Sequence, residues 1–153
     1  MLMLARTTNV TNSNPVGGTG SGGGKEKDIA ETPSCDLLDH HLIKVTACWR
    51  GMSSDAPAVV TMSITDDKDV HIQEQNHRID TANVGQAGGE MSRVLKVMKT
   101  GGDIKPGSYS FKLRAIREPV PSNTTAKIVI QAAKTYPTEI RVEDLGFIPP
   151  QEL

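Results

Sequence analysis

The chain has 153 residues and a formal net charge of −1, with 17 Lys and Arg against 18 Asp and Glu. That length fits one domain that can bury a core, with room for a tail. The charge balance gives no electrostatic case for nucleic acid or an anionic membrane as partner, and no apolar run of about eighteen residues marks a membrane span.

Met1 to Ala5 is apolar, and the chain then turns polar at Arg6. This run is too short for the apolar region of a secretory signal. Thr7 to Asn14 is rich in Thr and Asn, and Gly17 to Gly24 is Gly-rich. Such a composition cannot offset its ordering entropy by burial. Residues 1–27 are therefore expected to be a flexible arm, residues 28–148 the folded domain and residues 149–153 a C-terminal tail. The glycines are not a phosphate loop, since no Gly-Lys-Ser/Thr closes the run and no apolar strand precedes it.

Ile29 to His41 reads as an edge strand or approach loop cut by Pro33, because proline sits in sheets at edges or bulges. Asp39-His40-His41 reads as a polar turn; adjacent histidines on a strand point apart and do not share a metal easily. Cys35 and Cys48 are too few for a disulfide framework and lack metal-ligand spacing. Two reduced thiols are expected.

Leu42 to Arg50 alternates with period two, placing Ile43, Val45, Ala47 and Trp49 on one face. Val59 to Thr65 repeats the pattern with Val60, Met62 and Ile64 inward. Asp66-Asp67-Lys68-Asp69 reads as a hairpin turn. Asp66, Asp67 and Asp69 are weak calcium candidates, since the EF-hand spacing is absent. Val70 to Asp80 reads as a short polar strand, Thr81 to Glu90 as a loop, and Met91 to Met98 as a strand whose pattern Arg93 blurs.

Pro106 to Ala115 carries the clearest signal. Pro106-Gly107 marks a turn. Tyr109, Phe111, Leu113 and Ala115 then share one face, and Ser108, Ser110, Lys112 and Arg114 the other. Two of the four Phe and Tyr residues fall on that inward face, which marks a core strand. After a Pro-rich loop, Ala126 to Ala132 forms a strand with Ile128 and Ile130 inward. Tyr136-Pro137 turns the chain, and Ile140 and Val142 begin a last short strand. Pro149-Pro150 ends regular structure.

Seven or eight short strands, turn signals between them and no amphipathic helix give an all-β antiparallel sandwich. A jelly roll is expected. An immunoglobulin-like sandwich is the alternative, because Gly107-x-Tyr109-x-Phe111 resembles a tyrosine corner.

Three segments together resemble a family. They are His41-Leu-Ile-Lys-Val-Thr-Ala-Cys-Trp-Arg-Gly51, Gly107-Ser-Tyr-Ser-Phe-Lys-Leu-Arg-Ala115 and Tyr136-Pro-Thr-Glu-Ile-Arg-Val-Glu-Asp-Leu-Gly146. Their order and spacing resemble the small jelly-roll domains of tailed bacteriophage virion proteins of minor tail, tail-fibre or decoration type. The likeness spans roughly residues 28 to 148, and Val142-Glu143-Asp144-Leu145-Gly146 carries most of it. Leu145 stands where isoleucine is usual, and Phe147-Ile148-Pro149-Pro150 replaces the usual ending.

The resemblance implies a virion structural protein, made in the bacterial host cytoplasm. It would be a homo-oligomer, a trimer by resemblance, docking on major capsid or tail proteins through its N-terminal arm. Leu2, Leu4, Val10 and Val16 of the arm, with Leu145, Phe147 and Ile148, are the expected interaction residues. The alternative is a carbohydrate-binding module. That reading needs exposed aromatics, and here only Tyr136 and Phe147 do not pattern inward. No nucleophile elbow or metal-ligand spacing is present, so neither enzyme chemistry nor a cofactor is expected.

Overall fold

The computed structural model describes residues 1–9, 14–17, 26–49, 52–54, 58–79, 88–118, 127–130, 132 and 137–152, with the backbone alone at 14–17, 52–54, 79 and 127. Thirteen strands occupy these residues. They are β1 (Leu2–Asn9), β2 (Asn14–Gly17), β3 (Lys27–Glu31), β4 (Cys35–Leu37), β5 (His41–Trp49), β6 (Met52–Ser54) and β7 (Ala58–Asp66). They continue as β8 (His71–Ile79), β9 (Gly89–Val97), β10 (Gly107–Tyr109), β11 (Phe111–Glu118), β12 (Lys127–Ile130) and β13 (Thr138–Phe147).

The pairings are concentric. β7 pairs with β8 across the Asp66–Val70 turn, β5 with β9, β4 with β10, β3 with β11, β2 with β12, and β1 with β13, all antiparallel. The chain is thus one long hairpin. Rolling it up adds the pairs β13–β5 and β11–β7. Two four-stranded sheets result, ordered β1-β13-β5-β9 and β3-β11-β7-β8, with smaller sheets β10-β4 and β2-β12-β6. This is an antiparallel sandwich with jelly-roll strand order. The immunoglobulin-like alternative does not fit the concentric order.

The core lies between the two large sheets. Ile43, Val45, Ala47 and Trp49 of β5 meet Val60, Met62 and Ile64 of β7 and Phe111, Leu113 and Ala115 of β11, all fully buried. The alternation in the sequence is the reason. Each of these strands turns one face to the opposite sheet, and each buried Ile, Leu or Phe contributes about 1.5–3 kcal/mol. Arg117 extends the inward face of β11 and is 1% exposed. The strand therefore runs further than its apolar residues indicate.

The seams between sheets are closed by polar bonds. Thr7 Oγ1 donates to the Glu31 carbonyl at 2.7 Å, joining β1 to β3. On the other side Arg93 Nη1 donates to the Ile72 carbonyl at 2.8 Å. β9 is an edge strand, so its Arg93 reaches across to β8, which explains the blurred pattern there. Beside it Trp49 meets His77 edge to face, with ring centroids 5.3 Å apart.

Three expectations need correction. The core strand expected over Pro106 to Ala115 is two strands, broken at Ser110. β10 pairs with β4 while β11 pairs with β3 and β7, so the partner changes at the break. Thr32, in the matching break before β4, donates its backbone N–H to the Phe111 carbonyl and accepts the Phe111 N–H on Oγ1. The last strand is not short. Thr138–Phe147 is ten residues long and lies between β1 and β5. Finally, Leu2–Asn9 is an edge strand on β13 rather than a free arm, and Asn14–Gly17 pairs with β12.

Candidate functional site

One end of the sandwich gathers most of the large apolar residues that the core leaves out, Val70 and Val94 being exposed elsewhere. β1 starts there, β13 ends there and β5 starts there. Leu2 sits opposite Asp144, Asp144 opposite Ile43, and Phe147 opposite His41. Phe147 is 78% exposed, Met1 87%, Leu2 63%, Met3 45% and Leu145 37%. Leu38, also exposed, is adjacent, because its carbonyl accepts the His41 N–H. At about 150–200 Å² per large side chain, these residues present on the order of 600 Å² of apolar surface, the top of the range for the largest patch on a typical monomer.

A polar pair builds this end. His41 Nδ1 lies 2.9 Å from each oxygen of Asp144, and both side chains are largely buried. Asp144 Oδ1 also accepts the Gly146 N–H at 2.7 Å. The β13 register shifts between Asp144 and Gly146, and Gly146 has φ 96°, a conformation that favours glycine. The irregularity turns Leu145 outward and lays Phe147 against the His41 ring, with centroids 4.6 Å apart. Glu143 and Asp144 point apart: Glu143 accepts from Arg141 Nε at 3.0 Å on the outer face. Sequence reasoning missed His41 as the partner of Asp144, a pair separated by 103 positions.

The predicted interaction residues divide. Leu2, Leu145 and Phe147 converge on this end. Leu4 packs against the core at its margin, and Ile148 is a correction: it is 5% exposed, tied down by its N–H to the His40 carbonyl. Val10 lies outside the described residues, as does Tyr136, and Val16 is described only as backbone in β2.

The carboxylates of the Asp66–Asp69 turn do not converge as a calcium site. Asp66 Oδ1 accepts the N–H groups of Lys68 and Val70, and Asp69 pairs with Arg114 and Lys112. Among the described residues no group of three or more His, Cys, Asp or Glu is arranged to hold a metal. Cys35 and Cys48 are both buried and form no disulfide with each other. Burial and then the Asp36 charge push the Cys35 thiol up, away from the reactive thiolate. Trp49 is fully buried and offers no stacking face.

Elsewhere the outer surfaces carry ion pairs, with Val70 and Val94 as single exposed apolar residues. Arg6 pairs with Glu139, and Arg141 with Glu139 and Glu143, across β1 and β13. Burial opposes the Arg141 charge, but the Glu143 hydrogen bond and the two carboxylates outweigh it and raise its pKa. On the other sheet a groove of about 500 Å³ is lined by Glu26, Glu74 and Glu118 with Thr61, Ser63, Asn76 and His71. His71 bridges Glu26 at 3.2 Å and Glu74 at 2.5 Å. No Trp, Tyr or Phe lines it among the described residues.

No family model and no curated protein matches the chain.

Proposed function

We propose that this chain is a structural protein of a tailed-bacteriophage virion, a capsid decoration or tail/fibre component that self-associates and docks on the particle. The observation that carries the reading is the apolar end. A jelly roll with charged outer faces sets its exposed Phe, Leu and Met residues together at one corner. The area approaches the roughly 800 Å² per partner of a standard stable interface. The three segments that resemble phage virion domains supply the virion context, and a trimer is the oligomer they suggest. Fold alone would not, since jelly rolls also serve as lectins. A carbohydrate module would use the polar groove, which lacks the aromatic platform that sugar sites favour.

The test is the absolute mass of the full chain in solution, by light scattering after size exclusion, for the wild type and Phe147→Asp. The wild type is expected to be a trimer or another closed oligomer. Phe147→Asp is expected to be a monomer of unchanged unfolding midpoint, because Phe147 is exposed and packs on little but His41. A wild type that stays monomeric at micromolar concentration refutes self-association. Co-sedimentation with virions lacking the protein then tests docking.

A further inference from the structure

We propose that the N-terminal strands β1 and β2, the ribbon, form an exchange arm, which in the assembled protein completes the β12–β13 edge of a second copy of this chain. The inference rests on the self-associating reading above and names the segment that each copy would give its neighbour.

Both strands of the ribbon lie at the edges of their sheets. Among the described residues β1 has only β13 as ladder partner, and β2 has only β12. The described side chains of β1 add little to the core: Ala5 is buried and Leu4 packs at the margin. Among what holds β1 are its ladder, the Thr7 bond to the Glu31 carbonyl and the Arg6–Glu139 ion pair. Every one of these partners exists in each copy, so a neighbour's ribbon can make the same contacts. Exchange then loses no native interaction, which makes it a low-cost route to oligomers. Some ribbon must be present, since a bare β13 would show an open row of backbone N–H and C=O groups.

The connection permits it. Residues 18–26 join the ribbon to β3, and five of these nine are glycine. Fully extended they reach about 30 Å, which is the length of the nine-residue strands β5, β7, β8 and β9. A ribbon can therefore leave its own sandwich at Lys27 and lie on an adjoining one.

The exposed residues favour a second copy as recipient. The ribbon begins with Met1, Leu2 and Met3, and its seat on β13 ends beside Leu145 and Phe147. In a closed monomer all of these face solvent. Exchange alone keeps the same neighbours, but two copies that bury this end against each other bring each ribbon's tip beside the other's β13, and the apolar end becomes the junction between copies. The contact is heterologous, arm to edge, and successive exchanges close into a ring where the rotation between copies closes.

Paired cysteines at the ribbon's register positions decide the matter. Thr8 faces Glu139 and Met3 faces Glu143. In a Cys35→Ala/Cys48→Ala background, Thr8→Cys/Glu139→Cys and Met3→Cys/Glu143→Cys are oxidised or bridged in the oligomeric fraction and read by mass without reductant. Trp49 fluorescence checks that each variant is folded. Covalent multimers, up to the copy number given by light scattering, are the expected result. Covalently closed monomers within a non-covalent oligomer overturn exchange while leaving self-association intact. A protein that is monomeric throughout overturns both.

Discussion

Gly89→Ala sets two effects of opposite sign against each other. Gly89 opens β9 and pairs with Trp49. Its φ is not in the left-handed region, so alanine meets no backbone strain, and the stiffer residue alone would stabilise a strand by about 0.5–1 kcal/mol. A Cβ at this position would lie 2.6 Å from Trp49 Cζ2, 2.9 Å from Trp49 Cε2 and 3.1 Å from His77 Cε1. Trp49 is fully buried and its ring abuts His77, so it cannot swing away freely. Overpacking of this kind costs about 1–3 kcal/mol. The clash exceeds the entropic gain, and a net loss of about 1–2 kcal/mol is expected, or a fall in Tm of roughly 2–8 °C for a chain of this size. Urea unfolding followed by Trp49, the only tryptophan, measures it in the seam where the change is made. An unfolding midpoint equal to or above that of the wild type would refute the argument and show that the ring has room to shift.

Two further predictions concern buried polar groups. Thr32 is 3% exposed and its Oγ1 accepts the Phe111 N–H at 3.0 Å; Thr32→Val keeps the shape, orphans that donor and should cost about 1–3 kcal/mol in urea unfolding, whereas Thr32→Ser should cost less. His77 has its pKa lowered from 6.5 by burial, so the unfolded chain takes up a proton that the folded chain resists. Its contribution is intact above about pH 6.5 and is lost as pH falls from there towards the folded-state pKa. His77→Gln should flatten the fall in unfolding midpoint between about pH 7.5 and about pH 5.5, and an unchanged slope would assign the acid sensitivity to other groups.

The strands that alternation identified are those with one face wholly apolar. β5, β7 and β11 read directly because Ile43 to Trp49, Val60 to Ile64 and Phe111 to Ala115 place a large residue or an alanine at every second position. β13 read short because its inward face passes from Ile140 and Val142 to Asp144. The distant His41 and the Gly146 N–H make a carboxylate tolerable there. β1 did not read at all. Met1 to Ala5 is a continuous apolar run without period, the register shifts between Met3 and Ala5, and one residue is buried. Leu2, Leu145 and Phe147 were visible as apolar residues outside the alternating strands. Their meeting was not, since it is a property of the pairing and of no local segment.

That pairing also sets when the ribbon joins the fold. The β7–β8 hairpin closes a short turn, and each further pair needs only the intervening linkers to close once the inner pair is formed. Zippering outward leaves β12–β2 and β13–β1 to the end. At that stage a molecule's own ribbon is tethered at an effective concentration in the millimolar range, while a free neighbour's ribbon is present at micromolar concentration. Self-closure therefore prevails by about a thousandfold in dilute solution. Exchange prevails only when copies are already held side by side, which puts the neighbour's ribbon at a comparable local concentration and adds the apolar contacts of Leu2 and Phe147 to the balance. The two proposals are thus ordered in time. Contact at the apolar end comes first, and the exchanged ribbon then turns a reversible contact into one that cannot part without opening a β-ladder.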